Sequence, residues 1–306
     1  MISIREAFGQ TLANLGEQDK EIALVSCDLK VATKSDYFFQ KFPERSVEVG
    51  IAEANAVGIA AGLSMSGYKT VLSSFGAFLT GKNVEIRTSI AYNNAPVTLV
   101  GTHGGLIGPD GATQSGIQDI AVMRSMPRMK VFQPSSPIMT KNIVEHCINS
   151  GSPTYIRVAR NEVPEIYPAN QNFIEGEPYL HGKISENVLI SSGPMLHNCI
   201  SVAEKISENY NIDISVIDIP SLKPLNLESL EKMLSSCKKL FTVEDHMIDG
   251  GLGSLIAESL TLMNITPSMH IKGLNGFVGS GKPDELEKRY MLDEGSIIDF
   301  LISRIK

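Results

Sequence analysis

The sequence lacks several features that define common classes of protein. Its 306 residues contain no run of about 18 apolar residues, so a membrane-spanning helix is not expected. The first residues, M-I-S-I-R-E-A-F-G-Q, have neither the basic start nor the apolar core of a signal peptide. We therefore expect a cytoplasmic protein that does not bind a membrane.

Paired cysteines, clustered histidines and excess positive charge are also missing. The four cysteines form no C-x-x-C pair, and the six histidines show no metal-ligand spacing, so neither disulfides nor a metal site are expected. A net charge of -7 without a basic patch argues against nucleic-acid binding. The sequence has no P-loop, no G-x-G-x-x-G loop directly after a strand and no G-x-S-x-G nucleophile elbow. These absences exclude the commonest nucleotide-binding and hydrolase sites.

What the sequence does show is an alternation of short β-branched runs with amphipathic helical patterns. Strands separated by helices of about 10–15 residues predict βαβ units and a mostly parallel sheet. Between residues 161 and 186 this pattern loosens into prolines, asparagines and acids, and it resumes afterwards. We therefore predict an α/β protein with two doubly wound domains: residues 1–165, a linker over 166–186, and a smaller domain over 187–306.

Conspicuous residues follow three of the predicted strands. Residues 27–29 (C-D-L) follow the first strand, residues 73–78 (S-S-F-G-A-F) end the second, and a glycine-rich loop over 103–114 follows the third. Glu53 begins the helix between the first two strands, among alanines and glycines where burial makes a carboxylate costly to ionise. Because ligands bind at the carboxyl ends of strands in open α/β sheets, these residues predict one concave site.

Each of these residues also has a purely structural explanation. A carboxylate at a helix start is a favourable partner of the helix dipole. Phe75 and Phe78, three residues apart, fit a hydrophobic core, and a lone histidine such as His103 is often a hydrogen-bonded structural residue. Taken singly these signals are weak, and their order and spacing carry the functional prediction.

Several motifs in fixed order resemble the transketolase family. The segments V-G-I-A-E-A-N-A-V-G-I-A-A-G-L, S-S-F-G-A-F-L-T and T-H-G-G-L-I-G-P-D-G-A-T-Q resemble its pyrimidine-binding domain. The segments S-L-K-P-L-N and T-V-E-D-H-M-I-D-G-G-L-G resemble its C-terminal domain. The resemblance covers nearly the whole chain, and it implies a thiamine diphosphate-binding fold followed by a transketolase C-terminal-like domain.

The resemblance implies a cofactor site. Glu53 matches the glutamate that hydrogen-bonds N1′ of the cofactor's aminopyrimidine, where a carboxylic acid favours the imino tautomer that accepts the C2 proton. Phe75 and Phe78 match aromatic residues that pack on that ring. Asp28 and Leu29 resemble an aspartate–leucine pair near the cofactor and the subunit interface.

The resemblance also implies a substrate site. His103 and Asp110 match residues that contact the sugar hydroxyls, and Arg160 matches an arginine that binds the substrate phosphate. Gln114 stands where the family has the histidine of D-G-x-T-H; a neutral amide can hydrogen-bond a hydroxyl but cannot shuttle a proton. We therefore predict Glu53 and His103 as catalytic residues, and His103, Asp110, Gln114 and Arg160 as substrate-binding residues.

Other departures affect substrate recognition. Gly81 replaces a tyrosine and opens the pocket, and Ala32 corresponds to a phosphate-binding serine. The family's other phosphate arginine is expected to precede Met1, which leaves Arg160 alone for the phosphate. We therefore expect an unusual sugar substrate or a low affinity for common pentose phosphates.

No segment matches the G-D-G…N motif with which this family binds Mg²⁺ and the pyrophosphate of thiamine diphosphate. The resemblance therefore implies the C-terminal subunit of a split transketolase. It would transfer a two-carbon ketol unit from a ketose to an aldose only with a separate N-terminal subunit that supplies the magnesium and pyrophosphate ligands. We expect a heterotetramer with two copies of each chain, and the sugars themselves stay open.

Alternatives within and outside this chemistry remain. V-G-I-A-E also fits 1-deoxyxylulose-5-phosphate synthase, and the beta subunit of 2-oxo acid dehydrogenases shares the architecture. A non-catalytic half that only binds a partner is a further alternative.

Overall fold

A computed structural model describes residues 1–305 of the chain. The strands, in chain order, are β1 (Ile2–Ser3), β2 (Ile22–Ser26), β3 (Ser46–Glu48), β4 (Lys69–Phe75), β5 (Val97–Thr102), β6 (Lys130–Phe132), β7 (Thr154–Val158), β8 (Glu162–Val163), β9 (Tyr179–His181), β10 (Asn187–Ser191), β11 (Ser215–Asp218), β12 (Ser221–Lys223), β13 (Lys239–Met247) and β14 (Ser268–Leu274). The α-helices are α1 (Ile4–Gln18), α2 (Asp36–Lys41), α3 (Glu53–Met65), α4 (Gly76–Thr80), α5 (Asn83–Glu85), α6 (Asp119–Ser125), α7 (Pro137–Asn149), α8 (Met195–Tyr210), α9 (Leu227–Met233), α10 (Leu252–Met263), α11 (Pro283–Arg289) and α12 (Glu294–Ile305). A 3₁₀-helix spans Pro43–Arg45, and a π-helix spans Ile86–Ala91.

The first domain is built on a sheet of seven strands in residues 1–305, in the order β12-β6-β7-β5-β4-β2-β3. All neighbours are parallel except β12, which runs antiparallel to β6. Strands β2 and β5 are buried along their whole length, which explains their nearly continuous apolar sequences. Helices α1 and α7 pack on one face and α3 and α6 on the other, so the predicted doubly wound α/β fold is confirmed.

The second domain is built on a sheet of five strands in the described chain, in the order β14-β13-β10-β11-β9. Only β9 is antiparallel to its neighbour. Helices α8 and α12 pack on one face of this sheet, and α9 and α10 pack on the other. Strand β9 lies within the segment predicted as a linker. Strand β12, which follows β11 in the chain, pairs with β6 of the first domain.

The two domains are joined by polar contacts as well as by a shared apolar cluster. The backbone N–H of Gln133 donates to the carbonyl of Pro220 across 2.9 Å. Arg124 of α6 donates from Nη1 to the carbonyl of Gly250 across 2.6 Å and pairs through Nη2 with Glu258 of α10 at 2.8 Å. The second domain therefore packs beside the helix that follows the glycine-rich loop.

None of the helices in residues 1–305 combines the length and the apolar composition needed to cross a bilayer.

Candidate active site

Glu53 is the first residue of α3, at the edge of the first sheet where β2 and β4 end. Its side chain is buried, and Ser74 Oγ donates a hydrogen bond to Glu53 Oε1 across 3.3 Å. Because Glu53 begins α3, its carboxyl group lies at the positive end of the helix dipole. The adjoining cavity of about 300 Å³ is lined by Ile51, Glu53, Ala77, Phe78, Gly81 and Lys82. A buried acid therefore borders an open cavity rather than only the core.

Two phenylalanines connect this cavity to the next loop. Strand β4 ends at Phe75 and α4 begins at the next residue, so Phe75 and Phe78 lie on one side of the turn. Their ring centroids are 5.3 Å apart with the planes inclined by 19°. Phe75 also stacks on His103, with centroids 3.8 Å apart, and is itself buried, whereas Phe78 lines the cavity. The three rings form a continuous stack from the cavity to the residue that follows β5.

His103 is held in an unusual environment directly after β5. Its backbone is left-handed, with φ of 60°, and its side chain is only 3% exposed. Thr102 Oγ1 lies 3.0 Å from His103 Nδ1 and 3.4 Å from the carbonyl of Ser74, to which it donates. Burial, and then the charges of Arg5 and Arg160, lower the pKa of His103 to about 3. The imidazole is therefore neutral near pH 7, and with Nδ1 donating to Thr102 its Nε2 is an acceptor.

The loop over residues 103–116 carries the other polar residues predicted for substrate binding. Asp110 forms an ion pair with Arg160, which follows β7, and about a third of each side chain is exposed. Gln114 is half-buried, and its backbone N–H donates to the carbonyl of Gly111 across 3.1 Å. The fold thus brings Asp110 and Arg160 together and keeps Gln114 on the same loop as His103.

A second arginine shares the cleft beside Arg160. This cleft of about 510 Å³ is lined by Arg5, Ile107, Pro109, Arg160, Asn161, Glu162, Pro283, Asp284 and Glu287. Arg5 Nη1 donates to the carbonyl of Ala32 at 2.8 Å, while Arg5 Nε is buried and has no hydrogen-bond partner among residues 1–305. Burial and the neighbouring Arg160 lower the pKa of Arg5. Arg5 is therefore a second arginine at this cleft, and the expectation that Arg160 alone binds a phosphate stays a prediction.

Sequence reasoning missed Arg5 because its position depends on pairing between distant segments. Strand β1 pairs with β8, so Ile2 faces Val163, and the backbone N–H of Arg5 donates to the carbonyl of Ala159 across 3.3 Å. A two-residue strand gives no periodic signal that could predict such a pairing.

Asp28 and Leu29 lie outside the cavity at Glu53. Asp28 is exposed in a left-handed backbone conformation, and its N–H donates to Glu48 Oε1 across 2.6 Å. Leu29 is half-buried beside it. Their role near a cofactor and a subunit interface stays a prediction.

The residues around Glu53 fit the aminopyrimidine ring of thiamine diphosphate. A buried carboxyl group and an aromatic ring beside a cavity of about 300 Å³ suit an aminopyrimidine, which is flat and has a ring nitrogen for the acid. Within residues 1–305, no group of three or more histidines, cysteines or acids could hold a metal ion.

The match to known families decides what this arrangement belongs to. The model of the transketolase pyrimidine binding domain matches residues 1–165, and that of the transketolase C-terminal domain matches residues 181–297. The chain belongs to the transketolase family. The resemblance predicted from the motifs is thereby confirmed, and this transketolase family is thiamine diphosphate-dependent.

Relatives of this transketolase chain include proteins of similar extent. It is 32% identical over 287 residues to an apulose-4-phosphate transketolase subunit of Actinobacillus succinogenes, covering 92% of each chain. It is also 32% identical to 1-deoxy-D-xylulose-5-phosphate synthase of Clostridium kluyveri, of which it spans 48%. A solved structure described as a split gene transketolase, inactive beta4 tetramer, superposes with a TM-score of 0.91 at 32% identity, over 99% of this chain and 98% of that one.

Proposed function

We propose that this chain is the C-terminal subunit of a heteromeric, thiamine diphosphate-dependent transketolase that transfers a two-carbon ketol unit from a ketose to an aldose. The observation that carries this proposal is the buried carboxyl group of Glu53 beside a cavity that Phe78 also lines. A buried acid that borders such a cavity is a functional-site candidate.

In this proposal Glu53 holds a proton at N1′ of the aminopyrimidine, and Ser74 fixes the orientation of its carboxyl group. Phe78 packs on the ring, and Phe75 supports both Phe78 and His103 from behind. Thiamine diphosphate, when bound beside Glu53 and Phe78, would supply the nucleophilic carbon that ketol transfer requires.

On the substrate side, neutral His103 accepts a hydrogen bond from a sugar hydroxyl at Nε2, and Asp110 and Gln114 bind further hydroxyls. Arg5 and Arg160 bind a terminal phosphate, since both line the same cleft. Glu162, Asp284 and Glu287 line that cleft as well, so like-charge repulsion keeps the phosphate affinity low. This agrees with the expectation of weak binding of common pentose phosphates.

A separate N-terminal subunit completes the proposed enzyme. It holds the pyrophosphate and Mg²⁺, for which residues 1–305 offer no cluster of ligands. The description of the split-gene relative as an inactive beta4 tetramer supports a requirement for a second kind of chain. We propose two copies of each chain in the active enzyme.

Reconstitution tests this function. The chain is co-expressed with a candidate N-terminal chain, chosen from the same genome by its G-D-G…N motif, and ketol transfer is assayed with xylulose 5-phosphate and with apulose 4-phosphate, the substrate named for the A. succinogenes relative. Turnover should require both chains, thiamine diphosphate and Mg²⁺. Ketose turnover by this chain alone would contradict the proposal.

The second candidate is a 1-deoxyxylulose-5-phosphate synthase-like or 2-oxo acid dehydrogenase beta-type subunit. The 32% identity to the C. kluyveri synthase favours keeping it. Release of carbon dioxide from pyruvate by the reconstituted pair, without ketose turnover, would select this candidate. A complex that assembles but turns over neither substrate would select the non-catalytic partner-binding alternative.

A further inference from the structure

Arg157 of β7 lies at the centre of a buried ionic network outside the roles assigned so far. Its side chain is only 1% exposed, and the whole strand around it, T-Y-I-R-V, is buried as well. Its Nε donates to Asp119 Oδ1 at 3.1 Å, and its Nη1 donates to Asp245 Oδ1 at 2.7 Å. Asp119 begins α6, and Asp245 lies on β13 of the second domain. One guanidinium group therefore joins both domains.

The same guanidinium group also holds the 103–116 loop. Arg157 Nη2 donates to the carbonyl of Gly116 at 2.9 Å and to the carbonyl of Asp245 at 3.1 Å. The N–H of Gly116 donates to the carbonyl of His103 at 2.9 Å, and the N–H of Gly105 donates to the carbonyl of Gly116, also at 2.9 Å. Because Gly116 closes the loop onto His103, the position of the Gly116 carbonyl group sets the positions of the loop and of His103.

The loop backbone lies directly against this network. A Cβ atom on Gly104 would lie 2.6 Å from Arg157 Nε, and one on Gly105 would lie 1.8 Å from Asp245 Oδ2. Gly105 also has φ of 83°, which side chains rarely allow. The two glycines thus permit an approach that any other residue would prevent, and this close fit leaves the loop little freedom to shift.

Tyr155 and His246 lie beside the network formed by Arg157, Asp119 and Asp245. The hydroxyl of Tyr155 donates to Asp119 Oδ2 at 2.6 Å. His246 Nε2 is 3.9 Å from Asp119 Oδ1, and burial lowers the pKa of His246 to about 4, so this histidine is neutral. Two carboxylates and two carbonyls therefore surround one cation, and a lysine could not satisfy this forked geometry.

We infer that Arg157, anchored by Asp245 of the second domain, is a positioning residue that fixes the 103–116 loop and thereby aims His103 and Asp110 at the sugar. This inference rests on the proposed function. It gives the second domain a part in substrate binding, exerted through Arg157 and the loop.

Arg124 provides a matched control for a merely structural role. It also crosses between the domains, with Nη1 donating to the carbonyls of Gly250 at 2.6 Å and Gly251 at 3.2 Å, and it pairs with Glu258. Within the described chain, these polar contacts of Arg124 do not involve the 103–116 loop. If both arginines only hold the domains together, Arg157→Lys and Arg124→Lys will have similar effects.

The first test uses the reconstituted two-chain enzyme. We expect Arg157→Lys to raise KM for the ketose about tenfold, because hydrogen bonds to charged groups are lost, while the Kd of thiamine diphosphate changes less than about twofold. Asp245→Asn, which keeps the shape of the acid, should raise KM in the same direction. Arg124→Lys should leave KM within about twofold of the wild type. Equal KM values for all four enzymes would overturn the inference.

The second test needs no turnover and so separates this inference from the proposed function. The imidazole signals of the full chain, labelled at histidine, are titrated by NMR, with His103 assigned by its loss in His103→Gln. In the wild type, the imidazole of His103 should stay neutral down to about pH 3. In Arg157→Lys, the midpoint of the His103 titration should move towards the ordinary value of 6.5, because the loop no longer buries His103 beside Arg5 and Arg160. The midpoint should not move in Arg124→Lys. An unmoved His103 midpoint in a folded Arg157→Lys chain would overturn the inference, whereas a wild-type pair without turnover would count against the proposed function alone.

Discussion

Ser74 donates a hydrogen bond to Glu53 across 3.3 Å, from near the end of β4 to the first residue of α3. This contact orients the acid that we place at the cofactor ring. We expect Ser74→Ala to lower kcat of the reconstituted enzyme about fivefold, since one hydrogen bond contributes about 1 kcal/mol. Ser73→Ala is the control, because Ser73 Oγ is buried and has no hydrogen-bond partner in the described residues 1–305, and steady-state kinetics should show no loss of kcat. Equal losses in the two variants would contradict the orienting role of Ser74.

Phe78 should contribute to cofactor affinity rather than to folding. It lines the cavity at Glu53, so Phe78→Ala should raise the Kd of thiamine diphosphate about tenfold through the loss of ring packing. Calorimetric titration of the assembled enzyme measures this Kd. The matched control is Phe277→Ala, since Phe277 is 77% exposed and lies outside the lining of this cavity. An unchanged Kd of thiamine diphosphate in Phe78→Ala would show that Phe78 does not contact the cofactor.

Arg5 and Arg160 should act together on phosphorylated substrates. Replacing either residue by methionine should raise KM for a ketose phosphate about tenfold, because a charge-assisted hydrogen bond is lost, and should raise KM for an unphosphorylated ketose much less. Arg304→Met, in the terminal helix α12, serves as the control for loss of an arginine elsewhere. If Arg5→Met affected both kinds of ketose equally, Arg5 would not be a phosphate ligand.

Asp218 should make stability depend on pH. It is fully buried, accepts hydrogen bonds from Ser135 at 2.5 Å and Tyr167 at 2.6 Å, and burial raises its pKa to about 7 from the ordinary 3.8. Between these values the folded chain holds a proton that the unfolded chain has lost. This contribution to stability is therefore present at low pH and is lost as the pH rises towards 7.

Asp218→Asn removes this titration. Its free energy of unfolding in urea, relative to the wild type, should be more favourable at pH 8 than at pH 5. The control is Asp213→Asn, at an exposed position. Its free energy of unfolding should differ from that of the wild type by the same amount at both pH values. A relative stability of Asp218→Asn that is independent of pH would show that Asp218 does not titrate as its burial requires.

Local sequence was sufficient for the fold class and for the Glu53 cavity. Buried parallel strands have apolar sequences, and the segment from the end of β4 into α4 places Phe78 near Glu53 over a short stretch of chain. Long-range pairing was not predictable. Arg5 reaches the cleft only because β1 pairs with β8. Strand β12 follows β11 of the second domain in the chain, yet it pairs with β6 of the first sheet.

The buried network shows the same limit. An arginine within the apolar run T-Y-I-R-V signals a paired charge, because arginine is almost never fully buried unless paired. Its partners Asp119 and Asp245 are 38 and 88 residues away in sequence, so only the fold identifies them.

The central claim is that Glu53 activates the cofactor, and Glu53→Gln tests it most directly. The variant keeps the size and the hydrogen bond to Ser74 but cannot hold the acid's proton. In the reconstituted pair we predict that thiamine-dependent ketol transfer falls at least about 100-fold, the scale of general acid–base catalysis, while sedimentation shows the same assembly as the wild type. Wild-type turnover by the assembled Glu53→Gln enzyme would contradict the account.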